Sequence, residues 1–353
     1  MANKLIVSSS PHSHSKTTTS KIMWTVFASL IPAAGYSVYL FGIPAISVIV
    51  STIIFSVVLE ELGNYLLKKR STFKDGSAAL TGLLLALTLP PGVPLWICFI
   101  GAFVSITVAK TVFGGLGQNP FNPALTGRVF LLIAFPVPLT RWLVPTGTGD
   151  TLFGQSVSAL NSVGAVVPFG SPDVDAVTAA TPLGLLAEGG KKAVELLSHN
   201  SDIFIGQMNG SLGETSGILL LLGGAFLIYK KIISWHIPLS FLGAMAVFAG
   251  ITNIINPDKY ADIPFHLFTG GAIIGAFFMA TDYVTSPTFS KGKLIFGAGA
   301  GLLTMIIRIY GGYPEGVSFA ILLMNATVPL IDGNTKPKKF GFKKIDKNGA
   351  QNA

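Results

Sequence analysis

The chain has 353 residues, half of them hydrophobic and only 11% charged, with a mean hydropathy of +0.63. Such a composition has too little polar surface to clothe a water-soluble globule, so it excludes the soluble classes and points to an integral membrane protein. The net charge of +8 calls for no nucleic acid, because its distribution follows a membrane topology, and the single cysteine, Cys98, cannot build a four-thiolate iron–sulfur centre by itself.

A Ser/Thr/His-rich leader, residues 1–21, precedes an apolar run long enough to stay as a span, so no cleavable signal peptide is expected. A helix crosses roughly 30 Å of hydrocarbon with about 20 mostly apolar residues. Residues 22–139 supply five candidates: Ile22 to Phe41, Ile43 to Leu67, the shorter Gly76 to Leu89, Leu95 to Phe113, and the interrupted Ala124 to Leu139. Residues 140–214 form a long loop. Residues 215–331 supply five more: Ser216 to Tyr229, which is slightly short, Ile237 to Ile255, the interrupted His266 to Thr281, Leu294 to Ile309, and the interrupted Gly316 to Ile331. The four short or interrupted segments predict broken or re-entrant helices, which are tolerated where protein satisfies the freed backbone groups. A basic cytoplasmic tail, residues 332–353, reads as a plain topology anchor, with contact to anionic lipid or to a cytoplasmic partner as the alternative.

Lysine and arginine are retained on the cytoplasmic side. With ten spans and both termini inside, the inner segments hold Lys4, Lys16, Lys21, Lys68, Lys69, Arg70, Lys74, Lys230, Lys231, Lys291, Lys293 and six lysines from Lys336 to Lys347. The outer segments hold only Arg141, Lys191, Lys192 and Lys259. One span more or fewer in the first half would exchange the later loops and spoil this asymmetry.

An internal repeat agrees with the count. Gly82 to Thr88 (GLLLALT) resembles Gly275 to Thr281 (GAFFMAT) at a spacing of 193, and Gly114-Gly115 resembles Gly311-Gly312 at 197. Each half carries five spans, an odd number, so the halves are expected to be inverted relative to each other, with the broken helices meeting near the midplane. The expected fold class is therefore an all-α polytopic membrane protein of about ten spans in two inverted repeats.

The loop between the halves is too long for a simple connector. It contains Asp175-Ala-Val-Thr178-Ala179-Ala180-Thr181, which resembles the flavinylation pattern D-x-x-[ST]-[GSA]-A-T. Thr181-Pro182-Leu183, Gly114-Gly-Leu-Gly-Gln-Asn-Pro-Phe-Asn-Pro-Ala124, Ala280 to Thr288 and Arg308 to Gly316 extend the likeness along nearly the whole chain. It resembles the family that holds the D subunits of ion-translocating ferredoxin:NAD oxidoreductases and the B subunits of sodium-pumping NADH:quinone reductases.

The resemblance implies a urea-transporter-like architecture, FMN joined to Thr181 by a phosphoester, and Asp175, Thr178, Ala179 and Ala180 as recognition residues for a flavin transferase. It further implies a second, non-covalent flavin such as riboflavin, and A, B, C, E and G subunits as partners. The location it implies is a bacterial or archaeal cytoplasmic membrane. A threonine hydroxyl flanked by small residues is sterically open to attack an FAD pyrophosphate, and the redox chemistry would then belong to the cofactor. A solute channel of urea-transporter type is the rival reading, since fold alone does not settle function.

Charged residues at membrane depth are functional candidates by default. Glu60, Glu61, Lys110, Arg128 and Asp282 are the candidates for an ion pathway. Their plainer readings are pairing of Glu60 and Glu61 with Lys68 to Arg70, and snorkelling of Lys110 to the interface. Arg308 and Glu315 are expected to pair across the Gly311-Gly312 turn. Asn119 and Asn122 either present amides to a second flavin or an ion, or stiffen a re-entrant turn. The five histidines are scattered, no metal site is expected, and Gly297-Ala-Gly-Ala-Gly301 reads as close helix packing rather than a nucleotide loop.

Overall fold

The computed structural model describes residues 17–142, 181–187, 208, 210–215, 217–257, 259–313 and 315–337, and every regular element among them is helical. Helix α1 (Thr19–Phe41) opens under the Thr18 hydroxyl, which accepts from Lys21 N–H at 3.3 Å, as an N-cap should. One residue, Gly42 at φ 65°, reverses the chain into α2 (Ile43–Leu66), and Pro44 sits in the first turn of that helix. Only glycine takes this φ without strain, and proline fits where no intrahelical donor is needed.

In chain order there follow α3 (Ser77–Leu87), α4 (Leu95–Phe103) running on as a π-helix over Val104–Thr111, α5 (Pro123–Ala134) and α6 (Pro136–Leu139). Then come α7 (residues 182–187), α8 (Gly217–Tyr229), α9 (His236–Ile255), α10 (Ile263–Phe268), and α11 (Ala272–Ile274) with a π-helix over Gly275–Met279. Helices α12 (Ser290–Tyr310) and α13 (Val317–Thr335) complete the fold.

Five of these, α1, α2, α9, α12 and α13, are long and apolar enough to cross a membrane, and four shorter apolar helices accompany them: α3, α4 with its π extension, α5 and α8. Two stretches expected as full spans are shorter than that. The run from Leu95 winds its last eight residues as a π-helix, and α8 has only 13 residues. Gly316 to Ile331 corrects the expectation in the other direction, because it lies in an unbroken 19-residue helix. Pro329 sits near the end of that helix, where it removes one hydrogen bond without stopping the turn.

The broken helices are stable because their free carbonyls are answered. At the end of α3, Leu87 and Leu89 carbonyls accept from Gly213 N–H at 2.6 Å and Leu212 N–H at 3.1 Å. This also explains why α8 starts late: the residues ahead of it are committed to capping α3. At the end of α10, the Arg308 guanidinium donates to the carbonyls of His266, Thr269 and Gly270 at 2.6, 2.8 and 3.0 Å. After the second π-helix, Met279 carbonyl accepts from Asn122 Nδ2 at 3.0 Å. Each bond removes a cost of several kcal/mol for an unmet polar group in hydrocarbon.

Small residues set the closest helix contacts. A side chain added at Gly297 would lie 2.7 Å from Ile237 carbonyl, and one at Gly301 would collide with Phe241 carbonyl, so α12 lies directly on the α9 backbone. Gly82 does the same for α3 on α2, with Ile53 Cα 2.9 Å from its missing Cβ. The Gly297 to Gly301 run is thus a packing surface, as its sequence suggested. Outward faces of the long helices expose Ile54, Val58, Leu62, Leu239, Val247, Ile251 and Ile254, as lipid-facing surfaces do.

Candidate functional site

Two polar regions lie at opposite ends of α12. Near its first turn, the end that also carries Ile22 and Ile232, a cavity of about 90 Å³ opens between the halves. Its apolar wall includes Leu80, Leu84, Phe277 and Phe278, and its polar wall includes Lys110, Asn119, Asn122, Thr281 and Asp282. Four residues singled out from sequence, Lys110, Asn119, Asn122 and Asp282, therefore converge on one cavity from three different segments.

Their contacts differ from the plain readings. Lys110 does not snorkel: it is 2% exposed, and its Nζ bonds Glu60 Oε1 at 2.7 Å and Ser77 Oγ at 2.8 Å. Glu60 pairs with Lys110 and not with the Lys68 to Arg70 cluster, because it points inward from α2 while that cluster lies beyond the end of the helix. Glu61, one residue on, faces the other way and accepts from Thr72 N–H at 3.1 Å. It does not join the cavity.

Asn122 caps α5, accepting from Leu125 N–H at 3.3 Å while its amide bonds Met279 carbonyl. Asn119 donates to Phe121 carbonyl at 3.0 Å, so the Gly117 to Pro123 run is also held as a rigid turn. Asp282 accepts from Thr285 Oγ1 at 3.0 Å. Burial pushes its carboxyl above the usual range, against the opposing pull of Thr285, Val284 N–H, Asn119 and the Lys110 charge.

Sequence reasoning missed Asn325. It is 3% exposed on α13, and with its amide turned to suit its neighbours it donates to Thr285 and Ile321 carbonyls and accepts from Asn122 N–H at 3.2 Å. An asparagine inside an apolar helix was the available signal.

The second region lies beyond the last turn of α12. Arg128 on α5 pairs with Glu315 Oε2 at 2.8 Å. It therefore lies apart from the cavity and leaves the ion-pathway set around Asp282. Arg308 does not pair with Glu315 as expected, because its two terminal nitrogens are engaged by carbonyls at the end of α10. Glu214, also missed from sequence, is 6% exposed and accepts from Ser211 Oγ at 2.7 Å. Burial first, then the Glu315 charge, push its carboxyl up to about 8, with Ser211, Arg128 and Arg308 pulling the other way.

Thr181 stands at the head of α7. Its hydroxyl accepts from Gly184 N–H at 3.1 Å and its carbonyl from Leu185 N–H at 2.9 Å. It is 7% exposed, so the sterically open setting expected from the flanking alanines is not found: the residue is folded in. Leu183 anchors the turn in a small apolar cluster with Met208, Ala261 and Phe265, and presses on Gly270. Asp175, Thr178, Ala179 and Ala180 lie outside the described residues. Cys98 is buried, as a small core residue. No group of three or more His, Cys, Asp or Glu suited to a metal occurs among the described residues.

Fold and sites together define a multi-pass helical membrane protein with ion pairs and a polar cavity buried among its helices. The pattern of the NQR2, RnfD, RnfE family matches residues 6–341, and the chain belongs to that family. It is 46% identical over 351 residues to the D subunit of a proton-translocating ferredoxin:NAD(+) oxidoreductase complex from Clostridium ljungdahlii, covering 97% of this chain and 98% of that protein. Identity is 42% over 345 residues, 97% of each chain, to the D subunit of a Na(+)-translocating ferredoxin:NAD(+) oxidoreductase complex from Acetobacterium woodii. To the D subunit of an ion-translocating oxidoreductase complex from Halorhodospira halophila it is 39% over 339 residues, 94% of each chain.

Proposed function

We propose that this chain is the D subunit of an ion-translocating ferredoxin:NAD oxidoreductase complex, carrying covalent FMN on Thr181 and passing electrons coupled to Na+ or H+ movement. The observation that carries the reading is the D-x-x-T-A-A-T run ending at Thr181, in a chain alike over nearly its whole length to proteins named as D subunits. In this reading Thr181 Oγ attacks the FAD pyrophosphate, an oxygen–phosphorus bond forms, the pyrophosphate bond breaks, AMP leaves and the hydroxyl proton goes to the transferase. The Thr181 hydroxyl is engaged only as an acceptor among the described residues, so its chemistry fits the ester. Its burial requires attachment before α7 docks. Asp175, Thr178, Ala179 and Ala180 are then the transferase's recognition residues.

The cavity near Lys110 offers a second, non-covalent flavin, riboflavin, an apolar wall with Asn119 and Asn122 in its lining, and would have to widen to admit it. Asn119 and Asn122 would hold the polar edge of the ring system, and a bound flavin supplies one- and two-electron transfer. Glu60, Lys110 and Asp282 are the residues of this chain placed to hold or pass a cation beside it.

The proposed topology is ten spans in two inverted halves, with both termini and the cavity on the cytoplasmic side of a bacterial inner membrane and Thr181 outside. The spacing of the elements supports it: Ile43 and His236, which open α2 and α9, stand 193 apart, and Pro123 and Val317, which open α5 and α13, stand 194 apart. Subunits of the same complex would hold the iron–sulfur centres and the NADH site. The names of the relatives favour this over the B subunit of a sodium-pumping NADH:quinone reductase, and the family match weighs against a solute channel.

The test is in-gel fluorescence under ultraviolet light after denaturing electrophoresis, comparing the chain with Thr181→Ala, each co-expressed with a flavin transferase. Fluorescence confined to the unmutated chain is expected. Absence from both, with the transferase active on another acceptor, overturns the flavin assignment.

A further inference from the structure

We propose that the buried cluster of Arg128, Glu214, Arg308 and Glu315 is a single-proton site, in which Glu214 holds one exchangeable proton whose affinity is linked to the charge carried at Thr181. The second half of this statement rests on the flavin reading above; the first does not.

The cluster is closed and unusual in its accounting. Two guanidiniums and two carboxyls meet from α5, the turn before α8, the end of α12 and the turn before α13, and all but Glu315 are less than one-tenth exposed. Four of the seven buried side-chain polar atoms without a hydrogen bond among the described residues lie here: Arg128 Nη1, Arg308 Nε and both ring nitrogens of His266. Buried polar atoms in native proteins are nearly always partnered, by ordered water where protein does not suffice. The charges of the two guanidiniums stabilise the carboxylate form of Glu214 when its proton leaves.

Among the described residues the charges facing Glu214 are Arg128 and Arg308, which favour its carboxylate, and Glu315, which opposes it, with the Ser211 hydroxyl bonded to it. His266 faces Arg308 from α10, and Asp262 faces His266 from the start of the same helix. With the proton on Glu214 the two arginines outnumber the one carboxylate, and the cluster carries one net positive charge. When the proton leaves, the four charges cancel. Burial first, and then the like charge of Glu315, since two carboxylates in one buried site resist joint ionisation, push the Glu214 carboxyl up to about 8.

The connection to Thr181 is short. Gly270 and Gly271 adopt φ of 63° and 65°, and Gly270 is pinned between Leu183, two residues from Thr181, and Arg308 Nη2, which would lie 2.6 Å from a side chain there. Gly271 faces Glu214 on its other side. A negative charge gained by a group on Thr181 would strengthen proton binding at Glu214, and by linkage a bound proton would favour that charge equally.

Infrared difference spectroscopy on the purified full-length chain, titrated from neutral to alkaline pH, tests the proton site. A protonated-carboxyl band that fades as pH rises through about 8 and is missing in Glu214→Gln is the expected result. The same band in both proteins, or none in either, overturns the site. Should Glu214→Gln fail to accumulate, Ser211→Ala, which removes a bond that favours the carboxylate, must shift the fading to higher pH; an unmoved titration overturns the site equally. For the linkage, the midpoint potential of the Thr181 flavin in the assembled complex is measured against pH. A pH dependence weakened in Glu214→Gln is expected, and identical profiles overturn it. A wild-type chain without in-gel fluorescence removes the flavin reading and the linkage with it, while the infrared band still decides the proton site.

Discussion

The two polar regions solve the problem of buried charge in opposite ways. At one end a single cation, Lys110, is matched to a single carboxylate, Glu60, at 2.7 Å, and Lys110 borders an open cavity with Asp282 in its wall. At the other, two arginines and two carboxyls are packed together behind the Thr181 turn, and Arg308 spends its donors on backbone carbonyls. The first region has room for a ligand; the second is occupied by protein. A lysine beside a cavity can change partners, whereas an arginine bonded to three carbonyls is fixed by its planar fork. The comparison suggests a site for exchange at the cavity end and a fixed charge frame at the other.

Breaking the frame is expected to have the largest effect. Arg128→Ala leaves the Glu315 carboxylate without its partner and should destabilise the protein by about 3–5 kcal/mol, read as a lower thermal unfolding midpoint in detergent. Replacing both partners by apolar residues, Arg128→Met with Glu315→Leu, should recover most of that loss. At the cavity end, Lys110→Met strands a Glu60 carboxylate only 7% exposed and should cost a comparable amount, about 3–5 kcal/mol. A loss at Lys110 well below that at Arg128 would show that Glu60 reaches water once its partner is gone. The smallest effect is a pH dependence. Glu214 has a folded-state carboxyl raised to about 8, so its contribution is fully present below the ordinary carboxylate range and is lost as pH rises through that value. Unfolding midpoints followed from neutral to alkaline pH should fall, and Glu214→Gln should flatten the decline.

What could be read along the chain differs between the two regions in the same way. Lys110, Asn119, Asn122 and Asp282 stand out because polar side chains in apolar surroundings are conspicuous, and each proved to line one cavity. Glu214 was not conspicuous, since it ends a polar loop and only folding carries it inside. Arg128 and Glu315 were visible singly but not as a pair, being 187 residues apart. Arg308 and Glu315, close in sequence, were the natural guess and were wrong, because the helix end beside Arg308 offered three carbonyls that needed donors.

Composition and hydropathy were enough to set the class of molecule and the positions of most helices, because the hydrocarbon core imposes length and polarity rules that act locally; the threonine on which the functional reading turns was singled out by the resemblance of its motif alone. Family membership followed from motifs spread along the whole chain. Which charges meet, which stretch runs unbroken as α13, and why α8 is short were decided only in three dimensions. Backbone groups freed by a broken helix must find partners wherever the fold brings them, and those partners lie far away in sequence.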